Sequence, residues 1–426
     1  MRNLSVMQFG GVLGMLLASQ GWAGGISVYE AGQEGAGLAN AGAAVLSSDP
    51  SVLMNNPAGL VDVLGTQANL NGSLLLGDIG FNRGAGNQFD GNEGGNILNA
   101  LPGSSLFVSH QLNERATIGF GMYGTFGLTV KYDDDWAGRY FSQQATILGV
   151  SLQPTLAYRV TDNLSFGFGP RLMYAYYRTQ AAVNNNVLGS SGLADGQLEY
   201  KDSDAGLGIN LGLLYQLGER TRLGLAYTSK VKLEFEDRPS FDDISNPLLD
   251  TALRGINLEQ LSIDMQVPQT VLASISYELS SQWRLLGSVG WQDWSEFGDI
   301  GVEVDSTLGG TSLSVNRKYK DTWHVSIGAQ YQASPQLRWS MGVGYDSSMV
   351  DDRDRAADNP TDAAWRFASG INYRLREDLD LHMTYTLVWL GDMSIRQSKA
   401  SSGNTLAGSY DNSALHILGG GATWRF

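Results

Sequence analysis

From Thr66 to the C-terminus, segments of roughly ten residues alternate apolar and polar side chains with a period of two. One run sets Leu148, Val150, Leu152, Leu156, Tyr158 and Val160 on one face, opposite Gly149, Ser151, Gln153, Thr155 and Arg159. Leu207 to Leu217 and Trp323 to Tyr331 repeat it, with Gly, Asn, His, Ser and Gln on the polar side. Successive side chains of a strand point to opposite faces, so this period predicts strands with one apolar face each. A soluble sandwich would share that alternation. Two further regularities separate the cases.

Aromatic residues mark the ends of the apolar faces: Tyr158, Tyr215, Tyr227, Tyr277, Trp283, Trp291, Trp323, Tyr345, Trp365, Tyr373 and Trp389. Amphipathic rings collect at the two interfaces of a bilayer. The connections also alternate in length. Short turns such as Thr161-Asp162-Asn163 and Ser334-Pro335-Gln336 are interleaved with long segments at 77–103, 125–145, 182–204, 236–266, 292–321, 346–364 and 390–413. Short periplasmic turns and long external loops are the asymmetry of an outer-membrane barrel. Counting through predicts an all-β fold, a transmembrane antiparallel barrel of about fourteen strands. It must close, because an unpaired backbone group in hydrocarbon costs several kcal/mol.

The N-terminus supplies the compartment. Arg2, the apolar run Val6 to Ala18 and the small-x-small sequence Gly21-Trp22-Ala23 predict an export signal over residues 1–23. Residues 24–62 form a second unit, rich in Gly and Ala and ending in Asn56-Pro57-Ala58-Gly59, which suits a hatch that plugs a lumen. Residues 63–426 make the barrel.

Composition then narrows the chemistry. With no cysteine, neither a disulfide nor a thiolate metal site is available. A net charge of −15 offers no basic surface to nucleic acid. The histidines are dispersed without metal spacing, so no metal and no cofactor are expected. Ser413 and His416 come nearest to a nucleophile–base pair, but an odd spacing puts them on opposite strand faces, and no enzyme is expected.

Inward parity singles out Arg171 and Lys230, with Arg139 at a loop-to-strand entry as a further candidate, as cations that could meet a carboxylate. A lipid-facing Arg at mid-bilayer would cost about 2–4 kcal/mol, which favours the inward position. In loop 236–266, Leu248, Leu249, Leu253 and Ile256, followed by Leu258 and Leu261, recur at near-helical spacing. They predict either an external helix pair forming an apolar capture groove or a loop that packs on itself. The third strand carries Gly119, Gly121 and Gly124, which mark either a kink or a lumen face that needs small residues.

Glu30 to Gly42, Asp49 and Asn56-Pro57-Ala58-Gly59 together resemble the hatch of the outer-membrane family that transports long-chain fatty acids and aromatic hydrocarbons. Tyr132 to Tyr140, Pro154 to Tyr158, Asp293 to Phe297 and Tyr319 to Trp323 resemble other parts of it, so the similarity spans the mature chain. The resemblance implies capture at external loops, passage past the hatch beside Asn56, Pro57 and Ala58, and lateral release through the third strand. It implies hydrophobic small molecules as partners, together with outer-membrane lipid and lipopolysaccharide. The assembly machinery would engage the last strand, which ends Trp424-Arg425-Phe426. Fatty acid and hydrocarbon cargo both remain open, and a polar general porin would have no need of the plug.

Overall fold

A computed structural model describes residues 31–256, 258–306, 309–398 and 403–426. The expected export signal (1–23) and the first residues of the expected hatch (24–30) lie outside the described residues.

Fourteen antiparallel strands form the wall. In chain order they are β1 Thr66–Asp78, β2 Leu101–Asn113, β3 Ala116–Lys131, β4 Gln144–Arg159, β5 Leu164–Val183, β6 Gly196–Leu217 and β7 Thr221–Thr228. β8 Thr270–Glu278, β9 Trp283–Gln292, β10 Thr322–Gln332, β11 Leu337–Asp346, β12 Ala364–Arg376, β13 Leu379–Ser398 and β14 Thr405–Arg425 follow. Each pairs with its chain neighbours, and β1 closes on β14 from Gln67↔Arg425 to Asp78↔Ala414. Closure pairs the first strand with the last, so neither is left as a free edge of the sheet.

Burial is inverted relative to a soluble protein. Outward Leu207 and Ile327 are 76% and 70% exposed, while inward Gln153 and Ser326 are 0% and 3%. That places the apolar faces against lipid and the polar faces in a filled interior. Trp323 and Tyr331 on β10 belong to the external and periplasmic aromatic rows. Eight residues at 3.4 Å each separate them by about 27 Å, or roughly 20 Å along the normal for a typical tilt of ~40°. Among the described residues no helix is long and apolar enough to cross a membrane; the strands cross instead.

The external side differs from expectation in two ways. Segment 390–413 is not a long loop, since β13 and β14 continue as a hairpin, with register shifts between Trp389 and Met393. Their upper ladder pays off in packing: Met393, Ile395, Leu406 and Tyr410 are buried in the external apolar layer. Nor do the described residues of 236–266 form a helix pair. Pro247–Ile256 is helical, but Leu258 and Leu261 lie on strand Leu258–Val267. That strand sits between Val231–Asp237 and Asp299–Ser306, and Thr311–Asn316 completes a four-stranded sheet above the barrel. Its alternating Leu261, Ile263 and Met265 face the buried layer, a period that suits strand and not helix.

Candidate functional site

Residues 31–62 run through the lumen, and their packing explains much of the inward glycine. A Cβ at Gly212 would lie 1.9 Å from Asn56 Oδ1, one at Gly167 2.2 Å from Ala58 N, one at Gly224 2.0 Å from Ala44 O, and one at Gly342 2.0 Å from Leu38 O. Four strands around the barrel therefore give up side chains to let this backbone approach. Asn56 is the organising residue. Its Nδ2 donates to Ala44 O (2.6 Å) and Leu213 O (2.9 Å), and its Oδ1 accepts from Ala58 N (3.0 Å) at the start of the 3₁₀ turn Pro57–Asp62. Pro57 opens that turn where a missing N–H does no harm. Asn56, Pro57 and Ala58 are all fully buried.

Ion pairs hold both ends of the segment. Glu34 receives Arg338 at 2.9 Å and Gln330 at 3.0 Å. Asp62 receives Arg159 at 2.7 Å and, more closely, Arg222. Leu53 and Leu60 fill the space beside β3: a Cβ at Gly119 would lie 2.8 Å from Leu60, and one at Gly121 2.8 Å from Leu53. These two glycines are small because the luminal segment leans on them. Gly124 differs, as it borders a register shift between β3 and β4.

At that same height the wall parts. β3 pairs with β4 along its whole length, but with β2 only from Ala116 to Met122. Leu101 to Ser105 of β2 remain paired with β1, so the β2 and β3 edges diverge above Leu106↔Met122. Contact with β3 resumes at Lys131, whose N–H donates to Ile97 O (2.9 Å) in the loop after β1.

A cavity of about 140 Å³ lies between the luminal segment and the external loops, with Arg171, Tyr123, Trp291, Trp294 and His324 among its walls. Arg171 is 5% exposed, and Nη2 donates to Ser229 O (3.2 Å). Its Nε has no partner, and among the described residues no carboxylate pairs with it. A buried guanidinium lacking an anion is costly. His324, by contrast, is satisfied by Asp346 (2.7 Å) and Ser326 (3.0 Å), and Arg366 completes that group.

The other two candidate cations lie elsewhere. Arg139 is in the external layer, bound to Asp195 at 2.8 Å and resting on the Tyr140 ring. Lys230 is exposed beyond β7 and paired with Glu296 at 2.7 Å. On the external helix, Leu249 and Ile256 are buried and Leu253 packs against the same layer, while Leu248 is 60% exposed. The structure thus gathers Asn56, Pro57, Ala58, Gly119, Gly121 and Arg171 within the barrel, and leaves Arg139, Lys230 and the helix outside it. Tyr123 had no motif to announce it, while Trp291 stood in an aromatic row and Trp294 in the Asp293 to Phe297 segment, neither marked as a cavity wall. Inward parity of Gln153, opposite Leu152 and Leu156, was the available signal.

The chain matches, over residues 14–426, the family model described as outer membrane protein transport protein (OMPP1/FadL/TodX). It is 25% identical over 413 residues to outer membrane protein P1 of Haemophilus influenzae, covering 87% of each chain. To the long-chain fatty acid transport protein of Escherichia coli O6:H1 it is 22% identical over 395 residues, covering 86% of this chain and 87% of that one. The crystal structure of a Pseudomonas aeruginosa FadL homologue superposes with a TM-score of 0.84 at 20% identity, over 95% of this chain and 100% of that chain.

Proposed function

Because the chain belongs to the outer membrane protein transport family (OMPP1/FadL/TodX) of Gram-negative outer membranes, we propose that it admits hydrophobic molecules with long-chain fatty acids as its main cargo. Arg171 carries this reading: a buried cation with a free Nε, facing a cavity whose other walls are largely apolar. In this scheme exposed Leu248 and its helix offer a first apolar contact outside. The carboxylate then docks on Arg171, and the luminal segment anchored by Asn56, Pro57 and Ala58 acts as the hatch. Release follows sideways through the parting between β2 and β3, beside Gly119, Gly121 and Gly124. Lateral release avoids returning a ~16-carbon chain to water, which would cost roughly 13 kcal/mol at about 0.8 kcal/mol per methylene. The same scheme sets the external aromatic row against the lipopolysaccharide leaflet and offers β14, ending at Phe426, to the assembly machinery.

One observation favours a second cargo. A volume of about 140 Å³ is close to the ~150 Å³ of an engineered cavity that holds benzene, which suits monoaromatic hydrocarbons. Uptake of labelled oleate and labelled toluene by cells lacking their own transporter separates the two. Oleate uptake should fall by about tenfold or more on Arg171→Ala, the cost of one charge-assisted contact, and be spared by Arg139→Ala. Toluene uptake untouched by Arg171→Ala would assign the hydrocarbon cargo. Entry of a small sugar in place of both would identify a porin.

A further inference from the structure

We infer that Tyr123 and Gln153 are positioning residues that couple occupancy of the Arg171 cavity to the parting of the wall and to the seat of the luminal segment; the inference rests on that cavity being the cargo site.

The geometry begins where the β2–β3 ladder ends. Met122 is the last residue of β3 paired with β2, and Tyr123 is the next. Its ring is 1% exposed and stacks on Phe107 of β2, with centroids 5.5 Å apart. Its hydroxyl donates to Gln153 Oε1 of β4 at 2.5 Å. One side chain therefore bridges both margins at the foot of the parting. Gln153 passes the connection inward, since its Nε2 donates to Leu53 O at 2.9 Å. Leu53 belongs to the luminal segment, and its side chain occupies the space left by Gly121.

The wall behind this chain of bonds is built to yield. Leu152↔Leu172 and Leu156↔Phe168 keep β4 and β5 in register, which sets Pro154 opposite Pro170 and Gln153 opposite Arg171. No pairing is made across those rungs. Neither proline has an N–H to donate, so this part of the ladder lacks the bonds that fix its neighbours. Arg171 and Gln153 thus flank a soft place in the wall, and Tyr123 and Arg171 line one cavity.

A carboxylate arriving at the Arg171 guanidinium brings a charged acceptor within the cavity that Tyr123 lines. Charge-assisted hydrogen bonds are about twice as strong as neutral ones, so the Tyr123 O–H is drawn from Gln153 Oε1 to the cargo. Gln153 then loses the contact that orients its amide. With its oxygen released the amide turns from Leu53 O, which is left with Asn210 Nδ2 (3.2 Å), and as the phenol swings to the cargo its ring shifts on Phe107 of β2, at the foot of the β2–β3 parting. The cargo shifts the equilibrium because it gains a hydrogen bond only in the released state.

The chain has no native cysteine, so spin labels at Ser104→Cys and Gly124→Cys report the parting in purified protein reconstituted in vesicles. Palmitate should change the label distance in the wild-type background. Tyr123→Phe keeps the stacking on Phe107 and removes only the hydroxyl. It should leave the palmitate Kd within about threefold while oleate uptake falls about tenfold and the distance stops responding. Gln153→Met removes the acceptor for Tyr123 and one donor to Leu53 O without adding a charge beside Arg171; it should raise the open population before cargo is added. Heat-modifiable migration confirms that each variant is folded. A Tyr123→Phe protein with wild-type uptake and distance response overturns the coupling. So does a Kd that weakens in proportion to uptake, which would make Tyr123 a plain cargo contact. If wild-type protein binds no palmitate, the fatty-acid reading fails instead, and the same label pair with toluene decides the coupling: a response lost in Tyr123→Phe supports it, and an unaltered response refutes it.

Discussion

Among the wall glycines Gly212 leaves the least room for a Cβ beside the luminal segment, and replacing it with Ala should unseat that segment while leaving the barrel folded. The added Cβ would lie 1.9 Å from Asn56 Oδ1, 2.9 Å from Pro57 Cδ and 3.0 Å from Ala58 N. Ordinary contact begins near 3.4 Å, so Asn56 has to move by more than 1 Å. That motion breaks its bonds to Ala44 O, Leu213 O and Ala58 N. At about 1 kcal/mol each the loss is roughly 3 kcal/mol, a shift of about a hundredfold toward the undocked segment. Gly212 has no positive φ, so the effect is steric and not torsional. Gly72→Ala is the matched control, because a Cβ there meets nothing within 4 Å. The assay is swelling of proteoliposomes in a small sugar, combined with labelling of Ala58→Cys, which is buried in the parent. Gly212→Ala should swell faster and label faster, with heat-modifiable migration retained. A Gly212→Ala protein as tight and as unreactive as Gly72→Ala would refute the claim that the wall glycines exist to seat the segment.

Three further outcomes are expected. Extending the register of Leu106↔Met122 sets Ser104 opposite Gly124; oxidising the Ser104→Cys/Gly124→Cys pair should abolish cargo uptake, and reduction should restore it, whereas uptake through the closed pair would exclude this exit. In the external layer the Tyr140 O–H donates to Asp195 (2.8 Å), and burial followed by that bond pushes the phenol up to about 12. A raised pKa means its contribution is intact below the ordinary value near 10 and is lost as pH climbs through about 12. The near-UV circular dichroism of the external layer should therefore hold to about pH 10 and change above it. Tyr140→Phe should lack that step. Ile327→Arg, on the lipid face, should lower stability in urea-dependent folding into vesicles by about 2–4 kcal/mol, and no loss would contradict the outward assignment.

Much of the architecture could be taken from the chain alone, because a two-residue period is a local property. Leu148 to Arg159 needs no partner to declare two faces, and the aromatic rows and the sorting of turn lengths say which medium the apolar face meets. Asn56-Pro57-Ala58 and the glycine-rich stretch before it pointed to a lumen plug for similarly local reasons. What the chain could not declare was contact between distant segments. Parity presented Arg171 and Lys230 as equals; only the fold buries the first with no anion beside it among the described residues and pairs the second with Glu296 in water. Near-helical spacing in 236–266 fitted a helix until Leu258–Val267 found neighbouring strands, since cross-strand pairing outweighs local propensity. Segment 390–413 looked like a loop until β13 and β14 supplied each other's hydrogen bonds. The place where the wall parts is written in no motif. It arises because β1 retains the upper end of β2 while β4 retains that of β3, a choice between partners that only the closed barrel makes.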